Sequence, residues 1–235
     1  MADDSPGFDR PGLGFSPSVL APGQLAWEQG LPSWSRSTDG GIRSDQYTAD
    51  SLLRLGLGKN LELQFGGSFY NHLQQQGDGQ SYSSHGRGDS SLALKLVLPS
   101  SSAQWNWAVL GGVEFANGAR DFRNMRRQYS LALDANQQLD ERHALGYYAQ
   151  WQRMGSQNRY LVAANYSYAL TPPLNVYGEA AVQHDPALGN GSLAGIGLAW
   201  RITSRLQLDA WCRHRLAGHA DPWQAGLGFA VAFGR

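Results

Sequence analysis

The sequence predicts an all-β protein, an antiparallel transmembrane β-barrel of about twelve strands. Three observations carry this. In the last eleven residues, Trp223, Ala225, Leu227, Phe229, Val231 and Phe233 share one face, and Gln224, Gly226, Gly228, Ala230 and Ala232 share the other. Strand side chains alternate faces with period two, so one face is apolar along its length and the other small or polar. The same pattern recurs along the chain at about 9–11 residues, the length a tilted strand needs to cross a bilayer, while no run of about 18 apolar residues suits a transmembrane helix. The connections also alternate in length, with short turns at one end and longer loops at the other, as in barrels with periplasmic turns and extracellular loops.

Residues 1–20 are rich in Pro, Gly, Ser and Asp and read as an extended segment, placed to plug the lumen or to strap its periplasmic mouth. The barrel is expected over 21–235. Its first strand, near 23–31, turns Leu25 and Trp27 outward and Ala26 and Glu28 inward. The second, 48–57, opposes Leu53, Leu55 and Leu57 to Arg54 and Gly56. The third, 61–71, opposes Leu61, Leu63, Phe65 and Phe69 to Glu62, Gln64, Ser68 and Tyr70. Strands near 89–98, 104–115 and 128–138 turn Lys95, Glu114 and Asp134 inward. Those near 143–153, 159–169 and 174–183 bring in Tyr148, Asn165, Tyr177 and Glu179. The strand near 192–202 carries Ile196, Leu198, Trp200 and Ile202 outward. Asp209, Arg213 and Arg215 face inward from 206–215, and the C-terminal strand closes the set.

Turns are expected at 58–60, 99–103, 139–142, 171–173 and 203–205, and loops at 32–47, 72–88, 116–127, 184–191 and 216–222, with 154–158 breaking the contrast. Gly58-Lys59-Asn60-Leu61-Glu62-Leu63, Thr171-Pro172-Pro173-Leu174-Asn175-Val176 and Thr203-Ser204-Arg205-Leu206-Gln207-Leu208 share one form, a turn followed by an opening strand. This is a hairpin repeat, not a solenoid.

A soluble β-sandwich or lipocalin-like barrel also alternates. Its exposed face would carry many Lys and Glu, whereas here the second face carries Gly, Ala, Ser, Gln and Asn with scattered charges. Net charge is zero, which argues against a nucleic-acid partner. Eight Trp and ten Tyr suit membrane interfaces. The single Cys212 excludes an intramolecular disulfide and a Cys-rich metal site. The opening Met1-Ala2-Asp3-Asp4-Ser5-Pro6 reads as a mature N-terminus behind an initiator Met, a secretory leader having been removed.

Two stretches are distinctive: Phe8-Asp9-Arg10-Pro11-Gly12 followed by Ser18 to Glu28, and Leu53-Arg54-Leu55-Gly56-Leu57-Gly58-Lys59-Asn60-Leu61-Glu62-Leu63. They resemble the outer-membrane transporter family named after the MetA pathway of phenol degradation. The resemblance is strong over residues 8–70; beyond that only barrel patterning matches. It implies a β-barrel and a channel for small, often hydrophobic compounds. The shared motif looks structural, so no binding residue is carried over.

The lumen-lining candidates are Glu28, Arg54, Glu62, Tyr70, Lys95, Glu114, Asp134, Tyr148, Glu179, Asp209, Arg213 and Arg215. Lumen charges set selectivity in a channel, or pair into a polar core where water is scarce. Tyr70, Tyr148 and Tyr177 offer an aromatic path, or simple filling. Asp3, Asp4, Asp9 and Arg10 are candidates to pair with inward Arg213 or Arg215. Arg120, Arg123, Arg126 and Arg127 form a basic run expected to constrict the pore for anions, to hold lipopolysaccharide phosphates at the rim, or to stay solvated.

A lipid hydrolase needs Ser and His together on the lipid-facing rim. No Ser matches the height of outward His143 or His214, and Ser83, Ser84 and His85 fall in a loop without a nucleophile motif. His72, His85, His184 and His219 fall in different loops without metal-ligand spacing. The reading is a monomeric channel for passive uptake of a small, aromatic or hydrophobic solute, partnered by outer-membrane lipids and lipopolysaccharide, with no cofactor, metal or enzymatic role. The alternative is a barrel of closed lumen serving structure or surface interaction, and an outer-membrane lipid-modifying enzyme ranks third.

Overall fold

The computed structural model describes residues 7–77 and 79–234. Thirteen strands follow in order: β1 (Leu25–Asp39), β2 (Ile42–Gly56), β3 (Leu61–Gly77), β4 (Gln80–Gly86), β5 (Ser90–Leu98), β6 (Trp105–Phe115), β7 (Gln128–Gln138), β8 (His143–Met154), β9 (Gln157–Thr171), β10 (Leu174–Asp185), β11 (Gly189–Thr203), β12 (Leu206–Gly218) and β13 (Trp223–Phe233). All pair antiparallel, and β1 closes the ring by pairing with β13 from Leu25↔Phe233 to Arg36↔Trp223. β4 and β5 both pair with β3, one above the other, so they act as one barrel strand interrupted at residues 87–89. The wall is therefore the expected twelve-stranded barrel with one extra strand.

Within the closed ring β1 to β3 and β5 to β13 each pair on both sides, the condition for a β-structure to sit in hydrocarbon, and only β4 above it pairs on one side alone. Leu53, Phe65, Val162, Ile196 and Leu227 are among the outward residues that stay exposed, while inward Arg54, Glu62 and Lys95 are fully buried. The barrel is thus apolar outside and polar within. Near the end where β1 begins and β13 finishes, here the termini end, Trp105 stacks on Trp107 at 5.1 Å and lies 6.0 Å from Tyr147. Trp34, Tyr129, Trp151, Tyr160 and Trp223 mark the opposite, loop end. Two aromatic rows of this kind match the interfacial girdles of membrane barrels.

The expected loops are mostly strand. β1 and β2 continue to a two-residue turn at Gly40 and Gly41, with φ of 54° and 82°. That turn needs positive φ at both positions, which glycine accepts without strain. β8 with β9 and β10 with β11 likewise end in tight turns. Beyond the bilayer both strand faces meet water, so the hydrophobic alternation ceases while the hydrogen-bond ladder goes on. The stretches 32–47, 72–88 and 184–191 are corrected on that ground; 116–127 stays a long loop, holding a short 3₁₀ turn at Arg120–Phe122, and the β12–β13 connection stays a loop over 219–222.

Two bulges also break the expected parity. One residue is inserted in β1 between Gln29 and Ser33. In β3, Ala49 and Asp50 of β2 face Tyr70 and Ser68, leaving Phe69 without a partner. A bulge puts two residues against one and reverses the faces beyond it. Tyr70 is consequently outward and exposed, not lumenal, and Asn71 turns inward and is buried.

Candidate functional site

Residues 7–20 run inside the barrel, tied to inward groups on eight strands. The tie begins in the motif that the sequence made distinctive. The backbone N–H groups of Asp9 and Arg10 donate to the Glu28 carboxylate at 2.8–3.1 Å. Arg54 donates to Glu28 at 2.7 Å, to Glu62 at 2.8 and 2.9 Å, and to the carbonyl of Gly7 at 2.8 Å. Lys95 engages Asp9 and, at 3.6 Å, Glu62, and donates to the Ser16 carbonyl at 3.2 Å. Two cations thus face three carboxylates. The surplus negative charge is met by neutral donors, the N–H groups of Asp9, Arg10 and Leu20 and the amide of Gln64. Charge-assisted bonds of this kind hold buried ions that would otherwise be costly.

The segment then crosses the bore. Arg10 pairs with Asp209 at 2.9 Å, and Gln207 donates to its carbonyl at 3.0 Å. Glycine makes this passage possible. A Cβ at Gly228 would lie 2.2 Å from Arg10 Nη2, and one at Gly56 would lie 2.1 Å from the Ala21 carbonyl. Further along, the N–H of Gly12 donates to the Tyr177 hydroxyl, that of Leu13 to Glu179 at 3.0 Å, and that of Phe15 to Asp134 at 3.2 Å. Glu179 also holds Arg213 at 2.6 Å. Phe15 packs edge-on to Tyr148 at 5.9 Å, in an inward apolar patch with Ala108, Ala132, Ala163, Ala181 and Leu193.

Nine of the twelve expected lumen residues, Glu28, Arg54, Glu62, Lys95, Asp134, Tyr148, Glu179, Asp209 and Arg213, therefore gather around this inner segment. Three do not. Tyr70 faces outward. Arg215 donates to the carbonyl of Ala220 at 3.3 Å and serves the β12–β13 turn. Glu114 lies higher in the bore. The pairing of the N-terminal charges also differs from expectation: Asp9 meets Lys95 and Arg54, Arg10 meets Asp209, and Asp3 and Asp4 lie outside the described residues.

Above the segment, toward the loop end, the bore opens into a polar cavity of about 510 Å³ with Arg10 and Glu28 at its floor. Its wall includes Thr48, Asp50, Leu52, Ser68, Asn71, Asp89 and Glu114, and Phe122 overhangs it. Asp50 makes no ion pair among the described residues. Asp89, at the break between β4 and β5, accepts the N–H groups of Asn117, Gly118 and Asn124 at 2.7–2.8 Å. Asn124 in turn donates to Glu114 at 2.6 Å. These bonds fold the 116–127 loop inward. Ser84 and Tyr82 donate to Asp121 at its tip and hold that exposed carboxyl below the usual range.

The basic run in this loop does not line the cavity. Arg120, Arg123, Arg126 and Arg127 are all exposed; Asp121 and Phe122 point to the bore instead. A constriction built from these arginines is thereby corrected: the carboxylate anchors at 89 and 121 set which side of the loop faces inward. Sequence reasoning missed Asp50, Asp89, Asp121 and Phe122. Asp50 continues the inward parity of Arg54 and Leu52, which was the available signal. His72 and His85, expected in separate regions, are partners across β3 and β4.

The fold matches solved outer-membrane channels. Similarity to an outer membrane channel of the COG4313 group from Pseudomonas putida F1 reaches a TM-score of 0.69 at 16% identity, covering 95% of this chain and 99% of that one. The KdgM porin aligns at 0.57 and 8% identity, over 90% of this chain and 99% of its own. The CymD monoaromatic hydrocarbon channel aligns at a TM-score of 0.50 and 6% identity, over 92% of this chain and 90% of its own. No curated protein sequence matches the chain. The pattern of the family described as "Putative MetA-pathway of phenol degradation" matches residues 8–233, and the chain belongs to that family.

Proposed function

We propose that this barrel is an outer-membrane channel for passive uptake of a small solute, with its termini end toward the periplasm. The observation that carries the reading is the polar cavity of about 510 Å³, open among the loop-end strands and floored by the inner segment. A solute entering there meets hydroxyl, amide and carboxylate groups beside Leu52 and Phe122. That mixture suits a small aromatic bearing a hydroxyl, whose ring stacks while its polar group is hydrogen-bonded. The family description and the hydrocarbon-channel neighbour support the same class.

The inner segment is the element a solute must pass. Its residues bridge the wall charges, so those charges are spent on holding the segment and not on a moving ion. Selection then rests on the carboxylates of the upper cavity and on the width left beside the segment. Asp50, Asp89 and Glu114 make the approach acidic, and Arg10, the cation at the floor, is engaged by Asp209. Neutral and cationic solutes are favoured over anions.

The pairing of Arg54, Lys95 and Arg213 with carboxylates favours one second reading, a barrel of closed lumen. Swelling of liposomes carrying the refolded protein separates the two. Faster swelling in phenol or another small neutral solute than in glucose supports the channel; no swelling in any solute supports the closed barrel.

A further inference from the structure

The arginines at the loop end differ in their partners. Arg36 and Arg43 share Asp45, each at 2.8 Å, and Arg159 pairs with Asp185 at 2.7 Å. Arg126, Arg127 and Arg153 have no carboxylate partner among the described residues, although strand register brings them together. Gln128 and Tyr129 of β7 face Met154 and Arg153 of β8, so residues 126 and 127, immediately ahead of β7, come beside the β8–β9 turn. A Cβ on Gly155 of that turn would lie 3.6 Å from Arg126 Cδ, and Arg153 Nε donates to the Gly155 carbonyl at 3.1 Å. The Arg127 guanidinium sits 5.4 Å from the ring centre of outward Phe115. All three arginines are exposed.

Beneath Arg127 and Arg153, on the same outward face, lie Tyr129, Trp151 and Tyr160, with Tyr129 paired to Arg153 and Trp151 to Tyr160. Leu131 and Val162 continue that face into the apolar band, 51% and 54% exposed. The sequence has no Asp or Glu from 122 to 133 or from 142 to 178, so this sector of the outer wall has no acidic residue to neutralise it. Three guanidinium groups with no counter-charge repel one another, and an anion bound among them removes that cost. Guanidinium groups match phosphate oxygens in paired hydrogen bonds, and an interfacial aromatic row fixes them at head-group height.

We infer that Arg126, Arg127 and Arg153 form a docking site for the phosphorylated head of an outer-leaflet glycolipid, lipopolysaccharide. Its acyl chains lie along the Leu131–Val162 face below. The inference rests on the outer-membrane reading above, because it needs the loop end to face the outer leaflet.

The test titrates bisphosphorylated lipid A into the full-length refolded barrel in neutral detergent, read by native mass spectrometry and tryptophan fluorescence. The variants are R126Q/R127Q/R153Q, R127Q alone, and R36Q/R43Q as a control for lost charge; gel heat-shift verifies folding. The expected result is binding weakened about tenfold or more in the triple variant. R127Q alone shows a smaller loss, which keeps the test decisive if the triple variant does not fold. The control is expected to bind like wild type, and lipid A without phosphates to bind as weakly as the triple variant does. Unchanged binding in the arginine variants overturns the inference. So does equal weakening in the control, which would indicate net charge alone, or displacement by equimolar inorganic phosphate, which would indicate a simple anion site. Failure of the channel reading is seen separately, as absent solute flux in a protein that still binds lipid A.

Discussion

In the half of the bore near the termini, Arg54 and Lys95 are wholly buried and each meets carboxylates; in the half near the loops, Asp50 lines open space with no ion-pair partner among the described residues. Both halves use inward positions of the same strands. What separates them is residues 7–20, which supply Asp9, Arg10 and a row of backbone N–H donors to the lower half and nothing to the upper half above Arg10. The lumenal charges near the termini are therefore part of the barrel's structure, while Asp50 near the loops faces the open cavity. The same residue type at the same parity serves two purposes.

The comparison is broken most severely in the lower half. Arg54→Met leaves Glu28 and Glu62 buried without their main partner and is expected to cost about 3–5 kcal/mol, read from urea unfolding of the refolded barrel. A cost near that of an exposed ion pair, under about 1 kcal/mol, would deny that this network is buried. Leu208→Arg tests the wall instead. It puts a charge on the outward face and is expected to cost about 2–4 kcal/mol in a bilayer; refolding like wild type would contradict the outward assignment.

The upper half responds in selectivity, not stability. Asp50→Asn should leave the unfolding free energy within about 0.5 kcal/mol of wild type, as for substitutions away from buried partners. Its reversal potential in a KCl gradient should move toward zero from a cation-selective value. An unmoved potential would place the selective charges elsewhere. Asp121 carries the smallest effect. Its folded carboxyl titrates below its usual value, so its contribution is present above the unfolded value and is lost as pH falls through the lower, folded one. Current noise from loop motion should therefore rise only in acid below the usual carboxylate range, and Asp121→Asn should show that noise already at pH 7.

Much of this was legible in the sequence. The strand parity placed Arg54, Glu62, Lys95 and Asp209 inward because alternation is strict wherever one face meets lipid. Parity failed at Tyr70, where Phe69 bulges, because an inserted residue leaves no compositional mark. The strands that rise above the bilayer read as loops because water on both sides removes the pattern that reveals them. The course of residues 7–20 was hidden for another reason. Asp9 and Arg10 are adjacent in sequence, yet their partners, Lys95 and Asp209, become neighbours only when the barrel closes. The inward turn of the 116–127 loop depends on Asp89 at a strand break, so its four arginines suggested a constriction that its fold does not make.

The most direct test of this account is single-channel conductance in a planar bilayer, comparing the full chain with one lacking residues 1–20, both verified as folded by gel heat-shift. Removal takes Asp9 from the buried cluster and leaves Arg54 and Lys95 against Glu28 and Glu62, a balanced set that lets the wall persist. The account predicts small discrete steps from the full chain and markedly larger ones after removal. Equal conductance in the two forms would contradict it, since the inner segment would then not govern the path through the bore.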